Sequence, residues 1–388
     1  MPEPMPAAPS QAALQWVQRL VRLNTVSQNS NLALIDCIAD HLRSLQVPLR
    51  LTYDAERRKA NLFATLGEGK PDGVILSGHT DTVPWDGQDW RGDPLGGDVH
   101  DGALRGRGSA DMKGFIGVAV AHAQAFLAAD LPFAVHYAFS FDEEVGGFGV
   151  HHLIADLKDA GAAPRLCIVG EPTGMVPAIA HKGVYRWRCC IKGRAAHSSL
   201  TPLSVNAIEA GARVVAHIAD VADGLRAREV RYEGFDVPYT TASVGVMHGG
   251  IADNVVPEDC SFHYEFRNLP GADALALHHE VAAFAATLEP AMQAVDPASG
   301  FRFDEICAVP SFLARRDEPA VQLAQRLAGT DATTLVAFGT EAGLFQQAGI
   351  STVVCGPGFI AQAHQADEFV SLEQLAACEA FMAALAAR

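Results

Sequence analysis

The sequence predicts an α/β protein in which a first domain, with a mostly parallel central sheet flanked by helices, is interrupted by an inserted α+β domain. Short apolar strands alternate with helix-like stretches up to residue 180 and again after residue 310, as in parallel sheets. Between them the predicted order is β-α-β-β-α-β, which is typical of a ferredoxin-like fold. The chain has 388 residues, of which 49% are apolar, enough for two cores. We therefore predict a discontinuous domain of residues 1–183 and 311–388, with an insert of residues 184–310.

The part of the first domain that precedes the insert is predicted to contain three helices and five strands. Apolar residues at helical spacing indicate the helices, and short apolar runs that end in small residues indicate buried strands. The predicted helices span residues 11–23, 32–45 and 112–127, and the predicted strands span residues 49–53, 60–66, 74–76, 133–141 and 165–169.

The same two sequence patterns predict the helices and strands of the insert and of the part of the first domain that follows it. In the insert we predict strands at 185–192, 239–248, 260–268 and 301–309 and helices at 204–221 and 274–293. After it we predict helices at 318–327, 341–347 and 372–387 and strands at 333–337 and 351–355.

The charge balance and the cysteines limit the class of protein. Lys and Arg total 29 against 45 Asp and Glu, a formal net charge of −16, which argues against a nucleic-acid partner. No apolar segment is long enough to span a bilayer, and residues 1–10 do not have the pattern of a secretory signal. The eight cysteines form no C-x-x-C pair and most lie in apolar runs, as reduced, buried thiols do. We expect a soluble cytoplasmic protein without a membrane partner.

Acidic and imidazole side chains follow the predicted strands of the first domain. In an open α/β sheet the carboxyl ends of the strands form the ligand-binding edge. Two divalent cations held there by histidines and carboxylates can polarise a carbonyl and generate hydroxide near neutral pH. The pattern therefore predicts a dinuclear metal site of a hydrolase, built from His79, Asp81, Asp111, Glu143, Glu144, Glu171 and His364.

None of these residues identifies a metal site by itself. His79 and Asp81 form a His-x-Asp pair, which is usually an ordinary loop feature, although the carboxylate could also orient the imidazole. Asp111 could equally be the N-cap of the following helix. An exposed carboxylate pair would explain Glu143 and Glu144, although adjacent carboxylates after an apolar strand are costly without a cation. Their occurrence together after strand ends favours the metal site.

The same holds for the last two candidates. Glu171 lies between a glycine and a proline and could be a solvated turn residue. His364 is one of 15 histidines, and a lone histidine in a protein is most often a structural residue.

The local sequences resemble those of a known family. The segments Ser-Gly-His-Thr-Asp-Thr-Val-Pro, Gly-Ser-Ala-Asp-Met-Lys-Gly, Phe-Asp-Glu-Glu, Gly-Glu-Pro-Thr and Gly-Arg-Ala-Ala-His-Ser-Ser resemble the di-zinc aminoacylase and carboxypeptidase family, in order, from about residue 15 to the C-terminus. Ala-His-Lys-Gly at 180–183, His-Gly-Gly at 248–250, Gly-Thr-Glu-Ala at 339–342 and Gln-Ala-His-Gln at 362–365 resemble most closely its acetylornithine deacetylase branch.

The resemblance implies a role for each metal-site residue. Asp111 would bridge two divalent ions, zinc or alternatively cobalt or manganese. His79 and Glu171 would complete one ion's ligands, and Glu144 and His364 those of the other. The first domain would thus be the metal-binding catalytic domain.

The resemblance also assigns the proton transfers and the oxyanion contact. Glu143 would be the general base that activates the attacking water, and Asp81 would orient His79. His197, on the inserted dimerisation or lid domain, would stabilise the oxyanion in a neighbouring subunit's site, so a homodimer is expected. An ordinary loop histidine is the alternative for His197.

The implied substrate is N2-acetyl-L-ornithine, hydrolysed to acetate and L-ornithine in arginine biosynthesis. Asn254, Arg267 and Thr340 match substrate-contacting positions of the family, and Lys182 could contribute. Glu341 could pair with the side-chain ammonium of ornithine or could simply favour a helix N-terminus. Acetylcitrulline, formylornithine and succinyl-diaminopimelate are alternative substrates, and a catalytically silent metal-binding protein is the alternative of another class.

Overall fold

The structure is a computed structural model that describes residues 8–67, 69–70, 72–159 and 164–388. The chain divides into two compact units. One comprises the chain up to Ala180 with Phe312–Val336 and Thr340–Arg388, and the other comprises His181–Ser311 and Ala337–Gly339. A large mixed sheet flanked by helices in the first unit and an antiparallel sheet in the second confirm the predicted fold class. Among the described residues, no helix is long and apolar enough to cross a membrane.

The elements are numbered in chain order. The strands are β1 (Leu49–Tyr53), β2 (Ala60–Leu66), β3 (Val74–His79), β4 (Asp98–His100), β5 (Ala103–Arg105), β6 (Val135–Ser140), β7 (Leu166–Pro172), β8 (Ala178–His181), β9 (Val184–Lys192), β10 (Thr241–Gly249), β11 (Asp259–Arg267), β12 (Gly300–Val309), β13 (Phe312–Leu313), β14 (Thr334–Val336), β15 (Ser351–Gly356) and β16 (Phe369–Ser371). The α-helices are α1 (Gln11–Val21), α2 (Leu32–Ser44), α3 (Lys113–Ala121), α4 (Ala123–Ala128), α5 (Phe148–Asp159), α6 (Ala207–Arg228), α7 (Ala274–Gln293), α8 (Pro319–Ala328), α9 (Ala342–Gln347) and α10 (Leu372–Ala386).

The sheet of the first unit has the order β1-β2-β6-β3-β7-β15-β8-β13, with β14 paired to β8. Its four central strands β6, β3, β7 and β15 are parallel, whereas β1 and β2 on one side and β8 on the other join antiparallel. The predicted parallel character therefore holds at the centre of the sheet. The strands β4, β5 and β16 form a small second sheet that the sequence did not predict.

Two strands and one helix differ from the prediction in ways that matter for the site. β3 continues to His79 and β7 to Pro172, so His79 and Glu171 lie on strands instead of just after them. The predicted helix of residues 112–127 is two helices, α3 and α4, which meet at His122. Main-chain hydrogen bonds of the strands thus fix two of the candidate ligands directly.

Helix α3 packs tightly behind the metal-ligand candidates. Nearly all of it is buried, and a Cβ added to Gly117 would lie 2.7 Å from a Val17 side-chain atom of α1. A Cβ added to Gly170 of β7 would lie 2.1 Å from the Phe115 ring. Because glycines stand at both contacts, α3 approaches its neighbours closely, which fixes the segment just before it, including Asp111.

The second unit has its own core. Its sheet has the order β10-β11-β9-β12, with every pairing antiparallel. Asn206 caps α6 by accepting hydrogen bonds from two main-chain amides, and Asp273 caps α7 in the same way with one. Buried aromatic side chains from β9 and β11, Trp187 among them, fill the space under these helices.

Candidate metal centre

Five candidate ligands meet in the first unit. Nε2 of His79 lies 2.8 Å from Oδ1 of Asp111 and 3.5 Å from Oε1 of Glu171. Nε2 of His364 lies 3.2 Å from Oδ2 of Asp111 and 3.1 Å from Oε2 of Glu144. Each carboxylate oxygen of Asp111 therefore faces a different histidine, and each histidine faces a second carboxylate.

The sheet explains why distant residues come together. His79 ends β3 and Glu171 lies near the end of β7, and these neighbouring strands are parallel. Glu144 follows β6, the parallel neighbour of β3 on its other side. Asp111 lies two residues before α3, and His364 follows β15, which is parallel to β7. The carboxyl ends of parallel strands share one edge of a sheet, and ligands bind along that edge.

The electrostatics of this cluster favour bound cations. Burial alone would raise the pKa of Asp111, but hydrogen bonds from His364 and His79 hold it well below its ordinary value. Hydrogen bonds to Asp111 and Glu144 raise the pKa of His364 to about 11. Burial raises the pKa of Glu171 well above its ordinary value, and the Asp111 charge adds to this. Within the described parts of the chain, no lysine or arginine forms an ion pair with these carboxylates, so positive charge must come from protons or metal ions.

The donor atoms fit divalent metals. Two groups of side chains each bring their ligand atoms within 4.8 Å of one another: His79 with Asp111 and Glu144, and His79 with Glu143 and Glu171. Imidazole nitrogen and carboxylate oxygen are ligands of zinc, cobalt and manganese. Distance alone would also admit Glu143 as a ligand.

Glu143 differs from the other carboxylates in having no partner. Its side chain is half-buried, and no hydrogen bond or ion pair engages its carboxylate in the described ranges, 8–67, 69–70, 72–159 and 164–388. Burial raises the pKa of Glu143 well above its ordinary value, and the adjacent charge of Glu144 adds to this while His79 opposes it. A carboxylate near the ligands but unpaired by histidine is suited to accept a proton.

Asp81 contacts the site with two different groups. Nδ1 of His79 lies 3.0 Å from the main-chain oxygen of Asp81 and 3.7 Å from its carboxylate, so the main chain holds the ring. Because that oxygen can only accept, the proton of the neutral ring lies on Nδ1, which leaves Nε2 free to ligate a metal. The carboxylate of Asp81 accepts hydrogen bonds from the amides of Glu143 at 3.1 Å and Glu144 at 3.3 Å, and from Oγ of Ser27 at 2.7 Å.

His197 and Asn254 lie together in the second unit. His197 precedes a short 3-10 helix (Ser198–Leu203), and its Nδ1 accepts a hydrogen bond from the amide of Ser199 at 3.2 Å. The segment that contains Asn254 lies beside the His197 segment, because the amide of Ser198 donates a hydrogen bond to the main-chain oxygen of Asn254 at 3.0 Å. Both side chains are exposed.

Arg267 lies at the other end of β11 from Asn254. Its Nε and Nη2 donate to Glu265 at 3.0 and 3.4 Å. β11 begins at Asp259, five residues after Asn254, and ends at Arg267. At about 3.3 Å per residue, β11 itself is about 26 Å long, and Asn254 lies before its first residue.

The two remaining substrate candidates are buried in the first unit. Oγ1 of Thr340 accepts a hydrogen bond from the amide of Ala342 at 3.0 Å. The carboxylate of Glu341 accepts hydrogen bonds from Oγ of Ser140 and, at 3.3 Å, from Oγ of Ser77. Glu341 is 2% exposed, and burial raises its pKa to about 7. It precedes α9 but makes no side-chain capping bond.

Several residues that contact the site were not predicted. Ser27 supports Asp81, and Glu368 accepts hydrogen bonds from the amides of Ala110 and Asp111. A signal for Glu368 exists in the sequence, because it lies four residues after His364. Ser27 has no comparable signal, since one serine in a polar loop is unremarkable.

Comparisons with known proteins agree on the family. Residues 75–388 match the profile of peptidase family M20/M25/M40. The acetylornithine deacetylase of Proteus mirabilis strain HI4320 is 35% identical over 350 residues, which cover 89% of this chain and 87% of that protein.

Solved structures share the fold. A tripeptidase from Staphylococcus aureus has a TM-score of 0.75 at 19% identity, covering 99% of this chain and 100% of that one. Human carnosine dipeptidase 1 has a TM-score of 0.73 at 18% identity, covering 97% and 96%. The Bacillus subtilis YXEP protein, described as a dinuclear metal binding peptidase, has a TM-score of 0.62 at 15% identity, covering 97% and 96%.

Proposed function

The chain belongs to peptidase family M20/M25/M40 and is a metal-dependent amidohydrolase, and we propose that its substrate is N2-acetyl-L-ornithine. The products are then acetate and L-ornithine, and the reaction serves arginine biosynthesis. The observation that supports this choice of substrate is the 35% identity, across 89% of the chain, to an acetylornithine deacetylase.

We propose two divalent ions, zinc first and cobalt or manganese as alternatives. His79 and Glu171 would hold one ion, Glu144 and His364 would hold the other, and Asp111 would contribute to both. The two Asp111 oxygens, each facing a different histidine, support this arrangement. When bound, the ions polarise the scissile carbonyl and lower the pKa of the attacking water.

Glu143 is the general base in this proposal. Its unpaired carboxylate accepts the proton of the attacking water and later delivers it to the departing amine. One observation favours Glu143 over Glu144 for this step: the Glu144 carboxylate already faces His364, whereas the Glu143 carboxylate has no such partner. The Asp81 carboxylate keeps Glu143 in place through its amide.

His197 donates a hydrogen bond to the oxyanion. Its Nδ1 accepts from the Ser199 amide, so the neutral ring carries its proton on Nε2, where it is available to a developing negative charge.

The protein acts as a homodimer in which His197 comes from the partner subunit. His197 and Asn254 lie beyond the first residue of β11, whereas Arg267 is the last residue of this strand, which is about 26 Å long. One substrate with a single α-carboxylate does not span that distance. Two chains can supply the two ends to one site, with Arg267 and Asn254 binding the α-carboxylate from opposite sides.

Thr340 remains a substrate contact in this proposal, because a hydroxyl that accepts one hydrogen bond can still donate its own proton. For Glu341 we propose a different role from pairing with the ornithine ammonium. Its buried carboxylate, bonded to Ser77 and Ser140, supports the ends of β3 and β6 that carry the metal ligands.

A substrate panel tests the proposal. Chelator-stripped protein is reconstituted with zinc or cobalt, and kcat/KM is measured for acetylornithine, acetylcitrulline, formylornithine and succinyl-diaminopimelate. We expect stripped protein to be inactive, reconstituted protein to be active, and acetylornithine to be the best substrate. Glu143→Ala protein, prepared identically, controls for contaminating hydrolases.

Two results would contradict different parts of the proposal. A better value for another acyl amino acid would replace the substrate and keep the chemistry. Failure of both metals to restore any amide hydrolysis would remove the catalytic assignment of the cluster.

A further inference from the structure

A buried ion pair lies beside the candidate metal centre and outside the set of ligands. Arg107 and Glu368 are each 1% exposed, and Nη1 of Arg107 lies 2.7 Å from Oε2 of Glu368. Removing two charges from water costs more than a simple ion pair returns, unless further hydrogen bonds use the remaining atoms. Nη2 of Arg107 also donates to the main-chain oxygen of Pro84 at 3.5 Å, and the other side-chain hydrogen bonds of the pair lead toward two of the proposed ligands.

Glu368 holds the main chain at Asp111. Its Oε1 accepts hydrogen bonds from the amides of Ala110 at 3.0 Å and Asp111 at 3.2 Å. The carboxylate of Asp111 has to face both His79 and His364, so a small rotation of its main chain would move both contacts. A charged acceptor on two successive amides is a strong restraint on that rotation.

Arg107 reaches toward His364 through Gln88. Nη2 of Arg107 donates to Oε1 of Gln88 at 2.5 Å, and Nε2 of Gln88 donates to the main-chain oxygen of His364 at 3.0 Å. Nε1 of Trp90 also donates to Oε1 of Gln88, at 3.1 Å, which fixes the orientation of the amide.

The segment of His364 needs such a support. Its side chain is 47% exposed, and its φ of +60° is a conformation that residues other than glycine seldom adopt. His79 is in the opposite situation, since it ends a central strand and the main-chain oxygen of Asp81 holds its ring.

We infer that Arg107, Glu368 and Gln88 form a positioning brace that sets the spacing between Asp111 and His364. One guanidinium joins the support of the bridging carboxylate to the support of the exposed histidine. The brace therefore acts mainly on the ion held by Glu144 and His364, and this inference rests on the ligands proposed above.

Gln88→Leu is the sharpest variant, because it cuts the link to His364 and leaves the buried ion pair intact. Gln88 lies in a loop and is only half-buried, so folding is expected to persist. Metal-free protein is titrated with Co²⁺, and visible absorption follows each binding step. We expect one dissociation constant to rise about 10- to 100-fold, as when a support of a metal ligand is lost, and the other to change by less than about threefold.

Two further variants assign the steps and control for loop damage. His364→Ala removes one proposed ligand, so its spectrum identifies the ion that Gln88→Leu retains. Gln325→Leu is the matched control, because Gln325 is also half-buried and its Nε2 donates to the main-chain oxygen of Asp331 at 2.8 Å, in another loop. This control is expected to bind both ions as the natural protein does.

Arg107→Lys is a second, independent way to remove the link between Glu368 and Gln88. A single ammonium can stay beside Glu368 but cannot also hold Gln88 with a guanidinium's geometry, so the same dissociation constant should rise. Unchanged binding of both ions in both variants would overturn the brace. Equal weakening of both ions, in step with the free energy of unfolding in urea, would also overturn it and leave a structural role. If the natural protein binds fewer than two cobalt ions, the proposed ligand set fails instead.

Discussion

At the residue scale, the properties of Glu143 and Glu144 differ although the two are adjacent. The amides of both donate to the Asp81 carboxylate, so one acceptor fixes the turn that carries them. Of the two carboxylates, only that of Glu144 forms a hydrogen bond with a histidine. The difference in their proposed roles therefore rests on the partners of each carboxylate, and a substitution can separate them.

Glu143→Ala should retain both ions and lose a factor of about 10² to 10⁴ in kcat, because it removes the proton transfer alone. Glu144→Ala should lose an ion. Metal content by atomic spectrometry and kcat on acetylornithine, measured on the same samples, separate the two effects. If the Glu143→Ala protein proved to be the one depleted of metal, the roles of the two glutamates would be exchanged.

The structure brings together the side chains that the sequence proposed as metal ligands, but one contact involves a different atom from the one expected. Short apolar runs in the sequence indicated the strands before His79 and Glu171, although both strands continue farther than predicted and include these residues. The spacing of His79 and Asp81 suggested a contact between imidazole and carboxylate, whereas the main-chain oxygen makes it. Such choices depend on the turn geometry, which the pattern of residue types does not contain.

At the element scale, helix α3 packs against β7, the strand that carries the proposed metal ligand Glu171. An added Cβ at Gly170 would overlap the Phe115 ring, at 2.1 Å, and buried rings in a packed core have little room to move. Gly170→Ala should therefore lower the free energy of unfolding by about 1–3 kcal/mol, as overpacking does. Urea unfolding of the metal-free protein measures this.

Gly92→Ala is the matched control for that substitution. An added Cβ at Gly92 would meet no atom within 4 Å, so its stability should stay within about 0.5 kcal/mol of the natural protein's. Equal unfolding midpoints for the two variants would show that α3 shifts to accommodate the added methyl group without loss of stability.

Strand β6 carries a histidine that links stability to pH. His136 is 7% exposed, its ring stacks on Phe63 with centroids 5.2 Å apart, and burial lowers its pKa to about 4. The unfolded chain, with an ordinary pKa near 6.5, takes up the proton first as pH falls. The stabilisation from neutral His136 is therefore complete above pH 6.5 and is lost progressively toward pH 4.

His136→Phe retains the ring stack and removes the titration. Between pH 7 and pH 5, the natural protein should lose about 2 kcal/mol more free energy of unfolding than the variant. Urea unfolding at the two pH values, with the metal removed from both proteins, gives the difference. Identical losses would mean that His136 is protonated in the fold at pH 5.

The sequence missed one long element, the helix α5, and otherwise mainly short strands. The strands β4, β5 and β16 have three residues each, too few to show an alternating or apolar pattern. The break between α3 and α4 at His122 was missed because apolar residues continue through it. Among the long helices, α7 agrees with the prediction to the residue, whereas α6 was predicted at 204–221 and spans Ala207–Arg228.

At the scale of the whole molecule, the proposed active site draws on residues from His79 to His364 of one chain and on His197 of another. Sequence order predicted the interruption of the first domain, because the strand and helix pattern changes and then resumes. The partner subunit came from the family resemblance, since residue types do not report on a second chain. The position of Arg267 at the end of β11, with Asn254 before the start of that strand, gives the homodimer a structural argument that can be tested.

Mixing two inactive variants tests the shared site. Glu143→Ala lacks the base and His197→Ala lacks the oxyanion donor, so each homodimer should have low kcat with unchanged metal content. After dissociation and random reassociation, half of the dimers are mixed, and each has one site with both residues intact. Activity should then return to about a quarter of the natural protein's.

The recovery depends on His197 acting across the dimer. If His197 served the site of its own chain, each site of a mixed dimer would still lack one residue, and mixing would restore nothing. Mixing Glu143→Ala with His364→Ala is the control, because both substitutions lie in the first unit and each inactivates the site of its own chain. In a mixed dimer of that pair, one site lacks the base and the other lacks a metal ligand, so neither site is complete although both chains keep His197. A recovered rate in the first mixture together with none in the control would place the base and the oxyanion donor on different subunits.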